Sequence, residues 1–220
     1  MSLWEQLREA IKSGQTDKAL KLTEQCMELS HRQPISSVSF AGMALNHLTS
    51  FGEEELEKLF RLRYSAPAAE WIATTPGAKE SVERFASGME NPYSNITITE
   101  EADRYMLTLD PCRTGGRLRK GIFVGPKSIK LAGVSIGTTS KAYPWSWGKK
   151  GVSYYCLHEC FFMEIIPIEL RGYPIAVVQY AERSEDPCVL LFYKKPEQIP
   201  DEYFLRVGKT PWRLRPGRHE

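Results

Sequence analysis

The chain has 220 residues, 42% of them hydrophobic and 25% charged, enough to bury a proper core in one large domain or in a domain with a helical extension. Its formal charge of +2 gives no electrostatic ground for a nucleic-acid partner, and the longest apolar runs, such as 161–168, are short and broken by Glu164, so none spans a bilayer. Met1 to Glu5 lacks the basic start and apolar core of a signal peptide, and five cysteines is an odd number, so a soluble cytoplasmic protein with reduced thiols is expected.

Ser2 followed by Glu5 is a capping-box pattern, and Leu3, Leu7, Ala10 and Ile11 repeat at helical spacing until Gly14. A second helix is predicted from Thr16, antiparallel to the first, with Ala19, Leu20, Thr23, Cys26 and Met27 on one side. Beyond Gln33-Pro34 a third helix is predicted over 36–50, ended by Gly52. Glu53, Glu54 and Glu55 then load the first turn of a fourth, where carboxylates suit the helix dipole. Pro67 and Pro76-Gly77 are expected to frame two shorter helical pieces.

From Asn91-Pro92 the period changes from helical to alternating. Ile96 and Ile98 alternate with threonines, 100–103 reads as a polar turn, and 105–109 reads as a strand. That hairpin delivers Asp110 and Cys112 at a strand end. Residues 113–151 form a long segment rich in Gly, Lys, Ser and Thr, the signature of a lid, a binding loop or disorder, with 143–148 too aromatic for plain disorder. Further on, 173–180 and 188–193 read as a second hairpin. The expected fold is therefore α+β: a helical region over 1–90, then an α+β domain over 91–220 with a small, mostly antiparallel sheet and a long loop insertion.

The densest group of soft ligands and nucleophiles is Tyr154-Tyr155-Cys156-Leu157-His158-Glu159-Cys160. Periodicity leaves helix and strand both open for 154–166. Cys156 and Cys160 share a face in either case, whereas His158 joins them only on an extended backbone. Cys112, Cys156, His158 and Cys160 are the candidate metal ligands, with Cys188 the alternative to Cys112 and zinc the expected ion, although the spacing is not that of a zinc finger or ribbon. Alternatively, Cys112 beside Arg113 and a Gly-Gly turn is a candidate catalytic thiol, with His158 or Glu159 as its base. Packing of the cysteines as small hydrophobes is the third reading. Arg113 and Arg117 are candidate anchors for a substrate anion, and Trp145 and Trp147 are candidate covers for an apolar or aromatic ligand.

The order of Cys112 at a strand end, Cys156 opening a helix-like segment and Cys188 starting the last strand resembles vinyl-reductase-type small-molecule-binding domains and aminothiazoline-carboxylate hydrolase-like proteins. The resemblance covers about 104–195, with the long Gly-rich insertion and Pro167 as departures. It implies an α+β domain whose cysteine-rich site binds zinc or acts on a small molecule. The expected function is a hydrolase or lyase of a small anionic or heteroaromatic substrate. The alternative is a small-molecule-binding or sensory domain with a structural zinc. The partner in either case is a small molecule, with no nucleic acid or membrane, and the N-terminal helices offer a surface for oligomerisation.

Overall fold

The computed structural model describes residues 1–90, 95–112, 114–116, 136–183 and 185–215, with the side chains of 27–39 left outside that description. Helix α1 (Leu3–Lys12) starts on the predicted reciprocal cap, in which the Glu5 amide donates to Ser2 Oγ and the Ser2 amide to the Glu5 carboxylate. It lies against α2 (Thr16–Leu48), and Leu7, Ala10, Leu22 and Cys26 form a small cluster between them. Cys26 is thus a packing residue.

Two predicted breaks are absent. Helix α2 runs unbroken across Gln33-Pro34, where two helices were expected, and α3 (Glu54–Thr74) carries Pro67 in its interior. An interior proline costs about 3 kcal/mol through its lost hydrogen bond and ring clash. Burial of Leu56 and Phe60 before Pro67 and of Ala68 after it outweighs that cost in α3. Helix α4 (Ala78–Met89) follows. Among the described residues, no helix is long and apolar enough to cross a membrane.

The sheet has the order β1-β2-β4-β3 with every pairing antiparallel: β1 (Asn95–Glu100), β2 (Arg104–Asp110), β3 (Val177–Gln179) and β4 (Cys188–Tyr193). The fold is α+β, as the change of period at Asn91 implied. Leu190, Leu191 and Phe192 are buried in succession on β4, so this central strand is covered on both faces. One hydrophobic cluster joins Leu45, Leu56, Phe60 and Val82 of the helices to Leu107, Leu190 and Phe192 of the sheet.

The ambiguous stretch is helical throughout, in four registers. A 3-10 turn (Tyr154–Cys156) passes into one α turn (Leu157–Glu159), a π-helix (Cys160–Ile165) and a final α-helix (Ile166–Arg171). Pro167 sits at the start of that last helix, where a missing N–H costs least. Phe161 is its main anchor, fully buried and stacked on Phe60 with ring centroids 5.4 Å apart and on Trp145 at 6.5 Å. Phe161→Ala is therefore expected to cost about 3–5 kcal/mol. Urea unfolding should show this as a lower midpoint at unchanged slope.

Candidate functional site

A pocket lies where the end of β2, the start of β4 and the 3-10 turn converge. Its walls are Leu109, Trp147, Val178, Tyr180 and Leu190, and its chemistry comes from Cys112, Cys156, Cys188, His158 and Glu159. The cavity is about 30 Å³, room for one or two water-sized groups. Antiparallel pairing sets the first contact, because Leu109 is the register partner of Cys188. The chain then turns through Asp110 and Pro111 to return Cys112 to the same place.

Cys112 is buried, accepts a hydrogen bond from the Gly116 amide at 2.7 Å, and is hydrogen-bonded to the Cys188 thiol. Its pKa lies well above the ordinary thiol value. The hydrogen bond to Cys188 is the largest cause, followed by burial and by negative charge on Cys188 and Cys156. The two glycines serve this packing. A Cβ on Gly115 would stand 2.6 Å from Cys156 Sγ, and one on Gly116 would stand 3.1 Å from Cys112 Sγ. A side chain at Gly115 would displace the Cys156 sulfur, and one at Gly116 would press on that of Cys112. Tyr155 pins the same turn through a side-chain hydrogen bond with Thr114.

His158 is held on both ring nitrogens. Nδ1 meets the Tyr155 carbonyl at 2.6 Å and Nε2 meets Glu159 Oε1 at 3.0 Å. Two acceptors ask for two N–H groups, which is the imidazolium form. Burial pulls its pKa down, but the Glu159 charge and hydrogen bond, the Tyr155 carbonyl and the charge of Cys188 outweigh burial, and the net shift is upward. The ring is flanked by Tyr155 at 5.0 Å and by Tyr64 of α3 at 6.2 Å between centroids.

The predicted site residues divide. Cys112, Cys156, His158, Glu159 and Trp147 line the pocket, and Cys188, expected as the alternative to Cys112 among the ligands, joins them. The sequence did carry a signal for Cys188, since the resemblance had matched it. Cys160 does not join: it is fully buried, accepts a hydrogen bond from the Trp147 backbone and lies near Glu164. The shared face expected for Cys156 and Cys160 fails because the backbone passes from a 3-10 turn to a π-helix between them. His158 reaches the pocket from a helix, so the extended backbone thought necessary is not required. Trp145 packs away from the pocket, stacked on Tyr143 at 4.1 Å. Arg113 and Arg117 lie outside the described residues. Of the four proposed zinc donors, Cys112, Cys156 and His158 line the pocket and Cys160 does not, and both His158 nitrogens are engaged. Among the described residues, no group of three His, Cys, Asp or Glu side chains is placed to hold a metal ion.

Trp147 is the strained wall. Its φ of 55° places a bulky residue in the left-handed region, which costs about 1–3 kcal/mol. Three contacts hold it: stacking on Tyr180 at 5.4 Å, backbone contact with Cys160, and an indole N–H donating to Glu164 Oε1 at 2.9 Å. Glu164 Oε1 also accepts from the Val178 amide at 2.8 Å and from Arg206 at 2.7 Å. Sequence pattern alone gave Glu164 no role beyond breaking an apolar run.

Two outcomes follow from this geometry. Because the folded His158 pKa is raised above about 6.5, its pairing with Glu159 contributes stability that is fully present below that value and lost as pH rises through the folded one. Imidazole NMR titration should show a midpoint above the ordinary value in the native chain and a lower one in Glu159→Gln. Arg206→Ala should cost about 3–5 kcal/mol in chemical unfolding, because it leaves the buried Glu164 charge without its cation. Searches of protein-family models, curated proteins and solved structures give no match to this chain.

Proposed function

We propose that the chain is a thiol-dependent hydrolase or lyase of a small molecule, with Cys188 as nucleophile in place of the Cys112 expected from sequence. The observation that carries this reading is the convergence on one pocket of two thiols, Cys112 and Cys188, and of His158 held by Glu159. Cys188, when ionised, raises the pKa of both Cys112 and His158. Cys188 is the less buried of the two thiols and so the more accessible to a substrate. A thiolate beside an imidazolium is the reactive form of cysteine.

In the hydrolytic form, the Cys188 thiolate attacks an electrophilic carbon, forming a C–S bond as the bond to the leaving group breaks. The leaving group takes the Cys112 proton. Water then cleaves the C–S bond, its hydroxyl going to the product and its proton to Cys112, while Cys188 leaves as the thiolate. Glu159 and Tyr155 act through His158, holding its charge and orientation. The cavity takes the reacting group of a substrate, and its walls of Leu109, Trp147, Val178 and Leu190 favour an apolar neighbour to that group.

Limited alkylation with iodoacetamide followed by peptide mapping tests this reading. Cys188 should label first, and His158→Gln should slow that labelling by tenfold or more, on the order of a desolvated charge interaction. Against a panel of small amides, esters and thioesters, Cys188→Ser should reduce any turnover to background. Full turnover in Cys188→Ser, or stoichiometric zinc in the purified protein, would sink the assignment. Zinc would favour the binding or sensory alternative.

A further inference from the structure

Three thiols around one small pocket are more than nucleophilic catalysis requires. The pairing of two of them suggests a second chemistry. We infer that Cys112 and Cys188 are an oxidative modification site, closing to a disulfide when a small hydroperoxide enters the pocket. The inference takes from the enzymatic reading only the greater reactivity of Cys188, and it regulates the same site.

Position carries the argument. Cys188 starts β4 opposite Leu109, and the turn after β2 brings Cys112 back so that both thiols line the same small pocket. They come from segments joined through the paired strands β2 and β4, so the sheet presents the two sulfurs to each other. The cavity they face is about 30 Å³, the size of a peroxide group. Cys156 touches the same pocket from the helical side, with its sulfur packed against Gly115. Cys160 is sealed beside Trp147, and Cys26 lies in the separate cluster between α1 and α2. One pair is therefore set apart from the other three cysteines.

The chemistry balances in two steps. The Cys188 sulfur attacks the hydroperoxide O–O bond, becoming a sulfenic acid while the peroxide is reduced to an alcohol, or to water if it is hydrogen peroxide. The Cys112 sulfur then attacks the sulfenic sulfur, the S–S bond forms, and the hydroxyl leaves with the Cys112 proton as water. Two thiol hydrogens and two electrons have gone to the peroxide. The oxidised pocket has neither the nucleophile nor the proton donor, so turnover stops until a dithiol reductant reopens the bond.

Hydrogen peroxide is the probe. The full chain, reduced and then exposed to excess peroxide, is quenched with N-ethylmaleimide and mapped by mass spectrometry. The expected result is loss of two alkylatable thiols of the five, one intramolecular link joining the Cys112 and Cys188 peptides, and full reversal by dithiothreitol. Cys112→Ser should trap a dimedone-reactive sulfenic acid on Cys188. A link to Cys156, a link between chains, or five thiols still alkylatable would overturn the inference, and the unsubstituted chain alone decides those outcomes. Selective iodoacetamide labelling of Cys188 without the disulfide would sink this inference and leave the enzymatic reading standing. The disulfide without selective labelling would do the reverse.

Discussion

One carboxylate oxygen, Glu164 Oε1, organises the part of the molecule that matters for chemistry. It accepts hydrogen bonds from the Trp147 indole, the Val178 amide and Arg206, and so joins the loop, the π-helix, β3 and the helical turn after 200 at a single point. Burial raises its pKa on balance, although Arg206, Val178 and Trp147 all work against that shift. A buried ion pair contributes little net stability compared with an apolar replacement, so its value here is geometric. Three donors on one oxygen fix where Trp147 stands, and Trp147 is a wall of the pocket.

The chemistry sits one layer out from that clamp. His158 and Glu159 precede the π-helix, and Cys112 and Cys188 arrive from the adjoining ends of β2 and β4. The sheet ends therefore supply Cys112 and Cys188, and the helical segment supplies Cys156 and the charge. Helix α3 backs the arrangement from the other side: Tyr64 flanks His158, and Arg61 bridges to Glu169 at 2.8 Å. At the start of the same helix, the Tyr154 hydroxyl donates to Glu53 at 2.7 Å, tying the 3-10 turn to the helical region. Sheet and helices share both a core and a site.

Much of the fold was legible in the sequence because its signals are local. The Ser2–Glu5 cap, the alternation of Ile96 and Ile98, and the apolar run from Cys188 each act within a few residues. The prolines misled, because their local penalty says nothing about the packing that overrides it at Pro67. The segment 154–171 was illegible for a different reason: four helical registers in succession give no single period. Within the site, Cys156, His158 and Glu159 are neighbours in sequence and were found. The partnership of Cys112 with Cys188 depends on strand register across more than seventy residues, and only the resemblance hinted at it. Glu164 was passed over because a lone acid in an apolar run reads as an interruption until its donors, Val178 and Arg206, are in place.

The π-helix has a further meaning for how this sequence tolerates change. Six residues, Cys160 to Ile165, occupy a stretch wound more loosely than an α-helix, which accommodates one residue beyond the ordinary count. Loss of one residue there would give a tidier helix with its full set of short-range bonds. It would also turn everything on one side of the deletion by about 100° relative to the other. The thiol Cys160 and the acid Glu164 lie within that stretch, and His158 lies just before it, so the turn would break their alignment while improving the backbone. Length, more than residue identity, is the property this stretch must keep.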